Sequence, residues 1–201
     1  GAHWIKCNNE AVSQFYAVNV DYQENYNVYG GMQDNGVWFG SNNYSHNVAW
    51  HQEGKYPYQE LMGGDGMQTQ IDRRNPSVVF TGNQFGNYYK INQKENKVDY
   101  ITPKAPKGEK PYRFNWQTPI LLSLHNQDIL YMGSEFLHRS MNQGETWEKI
   151  SGDLTNGAKE GNVAFGTLTT ISESKFQFGL LYAGSDDGKI LVSKDGGASW
   201  Q

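Results

Sequence analysis

The sequence has few cysteines, no long apolar stretch and little net charge, and each shortage excludes a class of protein. The single cysteine, Cys7, cannot form a disulfide within the chain. No apolar run is long enough to span a bilayer, and residues 1–4 lack the basic start and apolar core of a signal peptide. A net charge of −4 gives no basic surface. We therefore expect no membrane insertion and no nucleic-acid partner.

The sequence also lacks the residue patterns required for metal binding, nucleophilic catalysis and phosphate binding. The histidines show neither metal-ligand spacing nor a nucleophile partner in sequence: His3, His46, His51, His125 and His138. No P-loop sequence and no calcium loop of the Asp-x-Asp-x-Asp kind occurs. We expect no metal and no cofactor.

Aromatic residues and glycine are what the chain has in abundance. Hydrophobic residues make up only 37%, yet aromatic residues reach 14% and there are 23 glycines. A disordered chain would have few aromatics and a strong net charge, so disorder is excluded. This composition is typical of short strands joined by tight turns, with aromatic side chains supplying the buried area.

An aromatic-x-Gly step recurs along the chain with a constant period. Its copies begin at Tyr29, Phe80, Tyr131 and Tyr182, so successive copies are 51 residues apart. Each copy lies at the end of an apolar strand, which is the second of its repeat: one apolar strand precedes it and two more follow. In the first repeat, we expect the fourth strand near Trp50. Four short antiparallel strands per period are typical of a propeller blade. We predict an all-β fold, a single β-propeller domain over 1–201, with repeats at 12–50, 63–101, 115–150 and 164–201.

Two turns of the sequence share a further pattern, Ser-x-Asp-x-Gly-x-x-Trp. One copy is complete, and the other has Asn in place of Asp: Ser193, Asp195, Gly197 and Trp200; Ser140, Asn142, Gly144 and Trp147. The pattern predicts the hairpin between strands three and four. The Asp or Asn side chain accepts hydrogen bonds from turn amides, and the Gly takes a positive φ. We interpret these residues as structural.

These turns, together with the segments 29–38 and 63–68, resemble the Asp-box or BNR-repeat propellers. That group includes sortilin/VPS10-like domains, xyloglucanase-like glycoside hydrolases and secreted bacterial propeller proteins. The resemblance implies the fold and a secreted, periplasmic or cell-surface location. The first two repeats depart from the pattern, having residues 40–43 and 93–96 where an Asp-box would lie.

The two ends of the chain resemble each other. Residues 1–4 align with residues 197–200, so residues 4–8 would form strand four of a preceding blade. We expect four blades of a larger propeller, with the remaining blades of the parent protein as partners. Closure of a four-bladed ring by residues 4–8 is the alternative.

Blade geometry assigns the loops to two faces, and we expect function on the one that we call the long-loop face. It carries the turns between strands two and three and the connections between blades, whereas the Asp-box turns lie on the other face. The candidate ligand-binding residues are Gln33, Asp34, Tyr56, Tyr58, Asp65, Trp116, Glu135, Asp186 and Asp187. For any one of these aspartates an ordinary turn role is the alternative.

Two functions follow from this face. Acidic and aromatic residues around a rim favour a module that binds polysaccharide or a protein or peptide ligand. The alternative is part of a glycoside hydrolase of the xyloglucanase-like type, which needs two separated carboxyl groups. Asp65 is then the first candidate for the acid or base, followed by Asp34 and Asp186.

Overall fold

The computed structural model describes Ala2, residues 13–45, Val48, Glu53 and residues 57–201. The proposed strand at 4–8, Cys7, Trp50 and the candidate ligand-binding residue Tyr56 lie outside the described residues. No helix in the described part of the chain is long and apolar enough to cross a membrane.

The described strands form four antiparallel sheets, each of which follows the order of the chain. The first two sheets contain β1 (Phe15–Val20), β2 (Asn27–Met32), β3 (Gly36–Ser41), β4 (Tyr58–Met62), β5 (Thr69–Ile71), β6 (Val78–Asn83), β7 (Asn87–Asn92) and β8 (Lys97–Tyr100). The last two contain β9 (Ile120–Leu122), β10 (Leu130–Gly133), β11 (Leu137–Ser140), β12 (Glu148–Lys149), β13 (Leu168–Glu173), β14 (Leu181–Ser185) and β15 (Ile190–Ser193). The predicted all-β propeller with four blades is confirmed.

The fourth strand of the first blade lies later in the chain than predicted. We expected it near Trp50, in a repeat ending at residue 50, but β4 pairs with β3 through Gly40 and Tyr58. The reason is the length of the segment between β3 and β4, residues 42–57, where the next blade has only residues 93–96 between its third and fourth strands. The first blade therefore extends to Met62.

The end of the first strand in every blade carries an Asp or Ser whose side chain stabilises the following turn. These residues are Asp21, Asp72, Ser123 and Ser174, again 51 positions apart. Each side-chain oxygen accepts a hydrogen bond from the amide two residues later, at 2.9 to 3.2 Å. Such side-chain acceptors stabilise turns. The repeat therefore fixes the turn from strand one to strand two as well as the strands themselves.

The hydrophobic core lies between successive blades, and the aromatic residue of the aromatic-x-Gly step is at its centre. Tyr29, Phe80 and Tyr131 are each at most 1% exposed. Each packs against aliphatic residues of the following blade: Ile71 and Val79 for Tyr29; Ile120 and Leu122 for Phe80; Leu168 and Leu181 for Tyr131. Side chains alternate between the two sides of a strand, so equivalent positions in successive blades face the same side of their sheets. The period of 51 residues therefore places a large ring in each interface.

We predict that Phe80→Ala lowers the free energy of unfolding by about 3–5 kcal/mol, because it empties a closely packed interface. Urea unfolding followed by circular dichroism measures this change. Phe176→Ala is the matched control, since its ring is 87% exposed and its removal is expected to cost less than about 0.5 kcal/mol. Equal losses for the two variants would contradict the assignment of Phe80 to a blade interface.

Candidate functional site

The turn at residues 193–200 is held by its own side chains. Ser193 Oγ accepts the Gly197 amide at 2.8 Å and donates to Asp195 Oδ1 at 2.8 Å. Asp195 also accepts the Ser199 amide at 2.9 Å. The hydrogen bonds from Ser199 and Ser193 lower the pKa of Asp195 to about 2, as expected for a carboxylate that accepts several hydrogen bonds.

The turn at residues 140–147 repeats this arrangement and also contacts the preceding blade. Ser140 Oγ accepts the Gly144 amide at 2.8 Å, and Asn142 Oδ1 accepts the Thr146 amide at 2.9 Å. The Trp147 indole donates to the carbonyl oxygen of Ile101 at 2.5 Å. A Cβ on Gly144 would lie 2.8 Å from Ile101 Cβ, so this position requires glycine. The turn therefore attaches the third blade to the second.

On the long-loop face, Asp65 holds a turn of the first blade. Its Oδ1 accepts the amide of Asp34, 31 residues earlier, at 2.9 Å. Two backbone hydrogen bonds flank this contact, from the Gly36 amide to Gly64 O at 2.8 Å and from the Gly66 amide to Met32 O at 2.9 Å. Asp34 has a φ of 58°, the left-handed conformation typical of a turn residue. Asp65 and Asp34 are thus in contact, but the contact joins the Asp65 carboxylate to the Asp34 backbone amide and does not pair two carboxyl groups.

Asp186 and Asp187 hold the connection that leads into the fourth blade. Asp186 Oδ1 accepts the amides of Gly166 and Thr167, both at 3.0 Å, and its Oδ2 accepts from Thr167 Oγ1 at 2.9 Å and Asn115 Nδ2 at 3.3 Å. Asp187 accepts the Asn156 amide at 2.5 Å. Both oxygens of Asp186 are therefore occupied by neighbouring loop residues.

Glu135 forms part of a third attachment point, which is centred on Arg113. The Arg113 amide donates to Glu135 Oε2 at 2.7 Å, and the guanidinium ion-pairs with Asp153 at 3.0 Å. The same guanidinium donates twice to Gly166 O, at 3.0 and 3.1 Å. Glu135 is buried. One arginine therefore joins three loops, and the sequence analysis missed this role because its partners lie up to 53 residues away.

Aromatic side chains remain accessible on this face. Trp116 and Phe85 are 36% and 38% exposed and meet edge to face, with ring centroids 5.1 Å apart. The Phe85 amide donates to Trp116 O at 3.2 Å, which fixes the two segments to each other. Tyr58 is also exposed but lies in β4 rather than in the predicted connection. Gln33 lies in the turn between β2 and β3, and its carbonyl accepts from Asn35 Nδ2 at 3.0 Å.

A cavity of about 260 Å³ lies at the centre of the blades, where their first strands meet. Its walls are the ends of the four innermost strands: Asn19 and Val20, Gln70 and Ile71, Leu121 and Leu122, Ser172 and Glu173. It lies beside the turns from strand one to strand two, on the face opposite the long loops. Side chains link neighbouring inner strands there, since Asn19 donates to Thr69 O at 2.8 Å and Ser123 donates to Glu173 at 2.6 Å.

The charged groups at this cavity are only partly paired: Glu173 Oε2 accepts from Ser123, whereas its Oε1 is buried without a hydrogen-bond partner among the described residues. The Arg73 guanidinium stacks over the Tyr22 ring at 4.2 Å. Burial, reinforced by the charge of the adjacent Glu173, raises the pKa of Tyr131 to about 12. Among the described residues, no group of three His, Cys, Asp or Glu side chains is placed to hold a metal ion.

His138 has a serine partner that the sequence did not reveal, but both residues are buried. Ser134 Oγ lies 2.8 Å from His138 Nε2. Burial, with a smaller contribution from Lys149, lowers the pKa of His138 to about 4. A serine nucleophile must be reachable by substrate, so this pair has the geometry of a core hydrogen bond rather than of a catalytic site.

Comparisons with known proteins identify the fold. No protein-family model and no curated protein matches the sequence. The solved structures to which the chain is similar include a GH74 enzyme of Niastella koreensis (TM-score 0.58, 16% identity, 94% of this chain) and an ancestral GH74 enzyme (0.63, 17%, 96%). Another is the GH74 xyloglucanase of Xanthomonas campestris (0.62, 14%, 94%). The chain spans only 29%, 24% and 30% of their respective lengths. At these identities the likeness is one of propeller fold.

We predict that Asp65→Asn keeps the stability of the protein within about 0.5 kcal/mol, because an amide oxygen can still accept the Asp34 amide. Asp65→Ala removes the acceptor and is expected to cost about 1 kcal/mol. Thermal or urea unfolding of both variants measures the difference. If Asp65→Ala were as stable as the unmodified protein, the role of Asp65 as a turn acceptor would be wrong.

The lowered pKa of His138 predicts a pH dependence of stability. The folded state favours the neutral ring, so its stabilising contribution is present above pH 6.5 and declines as the pH falls from 6.5 to about 4. We expect a contribution to the slope of up to about 1.4 kcal/mol per pH unit in this window. His138→Gln should lose this slope and the exposed control His125→Gln should retain it in urea unfolding at several pH values. Equal slopes in both variants would contradict the prediction.

Proposed function

We propose that the chain is a ligand-binding propeller module of the Asp-box kind, part of an exported protein, and that it binds polysaccharide on the long-loop face. The observation that carries the proposal is the exposed pair of Trp116 and Phe85. It lies on a face where the carboxylates of Asp65, Glu135, Asp186 and Asp187 hold loops in place.

The aromatic pair supports carbohydrate binding because of its shape and its fixed position. A flat indole stacks on the apolar face of a sugar ring, and a ring that is already held loses little conformational entropy on binding. Trp116 is held by its edge-to-face contact with Phe85 and by the backbone hydrogen bond between the two segments.

The occupied carboxylates weigh against the alternative, part of a glycoside hydrolase. A general acid must hold a proton and give it to the leaving oxygen, whereas a general base or nucleophile needs a free oxygen. Asp186 has both oxygens occupied by hydrogen-bond donors, and Asp65 accepts a turn amide. These contacts favour binding without hydrolysis by the described residues.

We predict that Trp116→Ala weakens polysaccharide binding about tenfold, the factor that corresponds to the loss of 1.4 kcal/mol. Isothermal titration or affinity electrophoresis with xyloglucan, mixed-linkage glucan and xylan would measure this. Phe176→Ala is the control, because its exposed ring lies beside the turns of the opposite face. Binding reduced equally by both variants, or no binding to any polysaccharide, would contradict the proposal. Binding of a peptide but of no polysaccharide would mean that the ligand of this face is a protein.

The same samples test the hydrolase alternative through release of reducing sugar. The binding proposal expects no release by the unmodified chain, even where it binds. Release that is abolished by Asp65→Asn, which should leave the fold intact, would establish the hydrolase in its place.

A further inference from the structure

The outward side of the fourth blade lacks the cover that the other three blades have. We call the side of β14 and β15 that faces away from the third blade the blade-four outer face, and its central residues are Tyr182 and Ile190. In each earlier blade the equivalent side is buried against the next blade in the chain. The three earlier blades therefore show which kind of surface covers such a face in this fold.

Tyr182 is the fourth member of the aromatic series. Its equivalents Tyr29, Phe80 and Tyr131 are at most 1% exposed, whereas Tyr182 is 43% exposed. The strand pairing is the same, since Tyr131 pairs with Arg139 and Tyr182 with Val192. The four side chains therefore point in the same direction, and only Tyr182 has no following blade to pack against among the described residues.

Ile190 gives a second, independent indication from the neighbouring strand. The glycine of the aromatic-x-Gly step pairs with Val37, Tyr88, Leu137 and Ile190 in the four blades. The first three are 0% exposed and Ile190 is 86% exposed. A large aliphatic side chain at a position that is otherwise fully buried indicates an interface rather than a solvated edge.

The three internal interfaces also define the chemistry of the missing cover. Tyr131 is covered by aliphatic residues from the first two strands of the next blade, including Leu168, Leu181 and Ala183. The turn between strands three and four of that blade then contacts the preceding one, as Gly197 contacts Ile150. We propose that the blade-four outer face binds a further four-stranded blade of the same repeat, whose aliphatic inner strands cover Tyr182 and Ile190.

This proposal does not depend on the ligand of the long-loop face. A second copy of the chain and the first blade of the same chain are the other surfaces that could supply the cover. The first blade presents Val18, 61% exposed, at the position where the third blade has the buried Ile120. Both surfaces would bury Tyr182 without any added blade, so a measurement on the 201-residue chain distinguishes them.

The test extends the chain with a copy of its own fourth blade. Gln201 exchanges two backbone hydrogen bonds with Val192, and Glu148 pairs with Arg139 at the equivalent position of the third blade. A copy of residues 149–201 joined after Gln201 therefore continues the fourth strand in register. In the extended protein we expect amide exchange in β14 and β15 to slow at least about tenfold relative to the 201-residue chain. The added blade should unfold together with the rest in one urea transition.

The control is a pair of lysine substitutions made in both proteins. Tyr182→Lys with Ile190→Lys should leave the unfolding midpoint of the 201-residue chain nearly unchanged and lower that of the extended protein. Equal effects in both proteins, or an added blade that exchanges as an unfolded segment, would overturn the proposal. So would a 201-residue chain that protects β14 by dimerising or by closing on its first blade, observed by light scattering and exchange.

Discussion

Burial of an aromatic ring at the same position between each pair of successive blades is the constraint on which this structure depends. The four sheets are separate ladders, and a backbone hydrogen bond such as that from the Leu168 amide to Ser134 O at 2.7 Å joins blades only at their ends, so the blades associate mainly through side chains. Tyr29, Phe80 and Tyr131, with Tyr88 beside Phe80, are the largest of these. Each buries an area that few other residue types could offer in a chain with only 37% hydrophobic residues. The glycine two positions later lets the neighbouring connection or strand approach, as where Gly31 meets Met67 O.

The polar groups of the long-loop face follow from the same architecture. Connections between blades have no sheet partners, so their backbone amides need other acceptors. Asp186 and Glu135 supply acceptors to two connections, and Asp65, which itself lies in a connection, accepts the amide of Asp34 in the turn between β2 and β3. Arg113 adds a cation that joins three loops. The acidic rim is therefore a framework that holds the loops, and the accessible aromatic pair of Trp116 and Phe85 is the surface that we propose for binding.

The fold could be predicted from the sequence because its determinants are local and periodic. The aromatic-x-Gly step and the turn residues recur at fixed positions, so strands one to three of each blade were placed correctly. The fourth strand of the first blade was misplaced because the long segment after β3 interrupts the period. The roles of Asp65 and Arg113 depend on partners 31 and 53 residues away, which no local pattern reveals.

The central claim, that successive blades are joined through these rings, can be tested by nitration of the 201-residue chain followed by peptide mass spectrometry. Nitration requires an accessible phenol that can ionise. Burial raises the pKa of both Tyr29 and Tyr131 to about 12 and excludes solvent from their rings. The account predicts rapid modification of Tyr182 and none of Tyr29 or Tyr131 before unfolding. Modification of Tyr131 as fast as Tyr182 in the folded protein would contradict it.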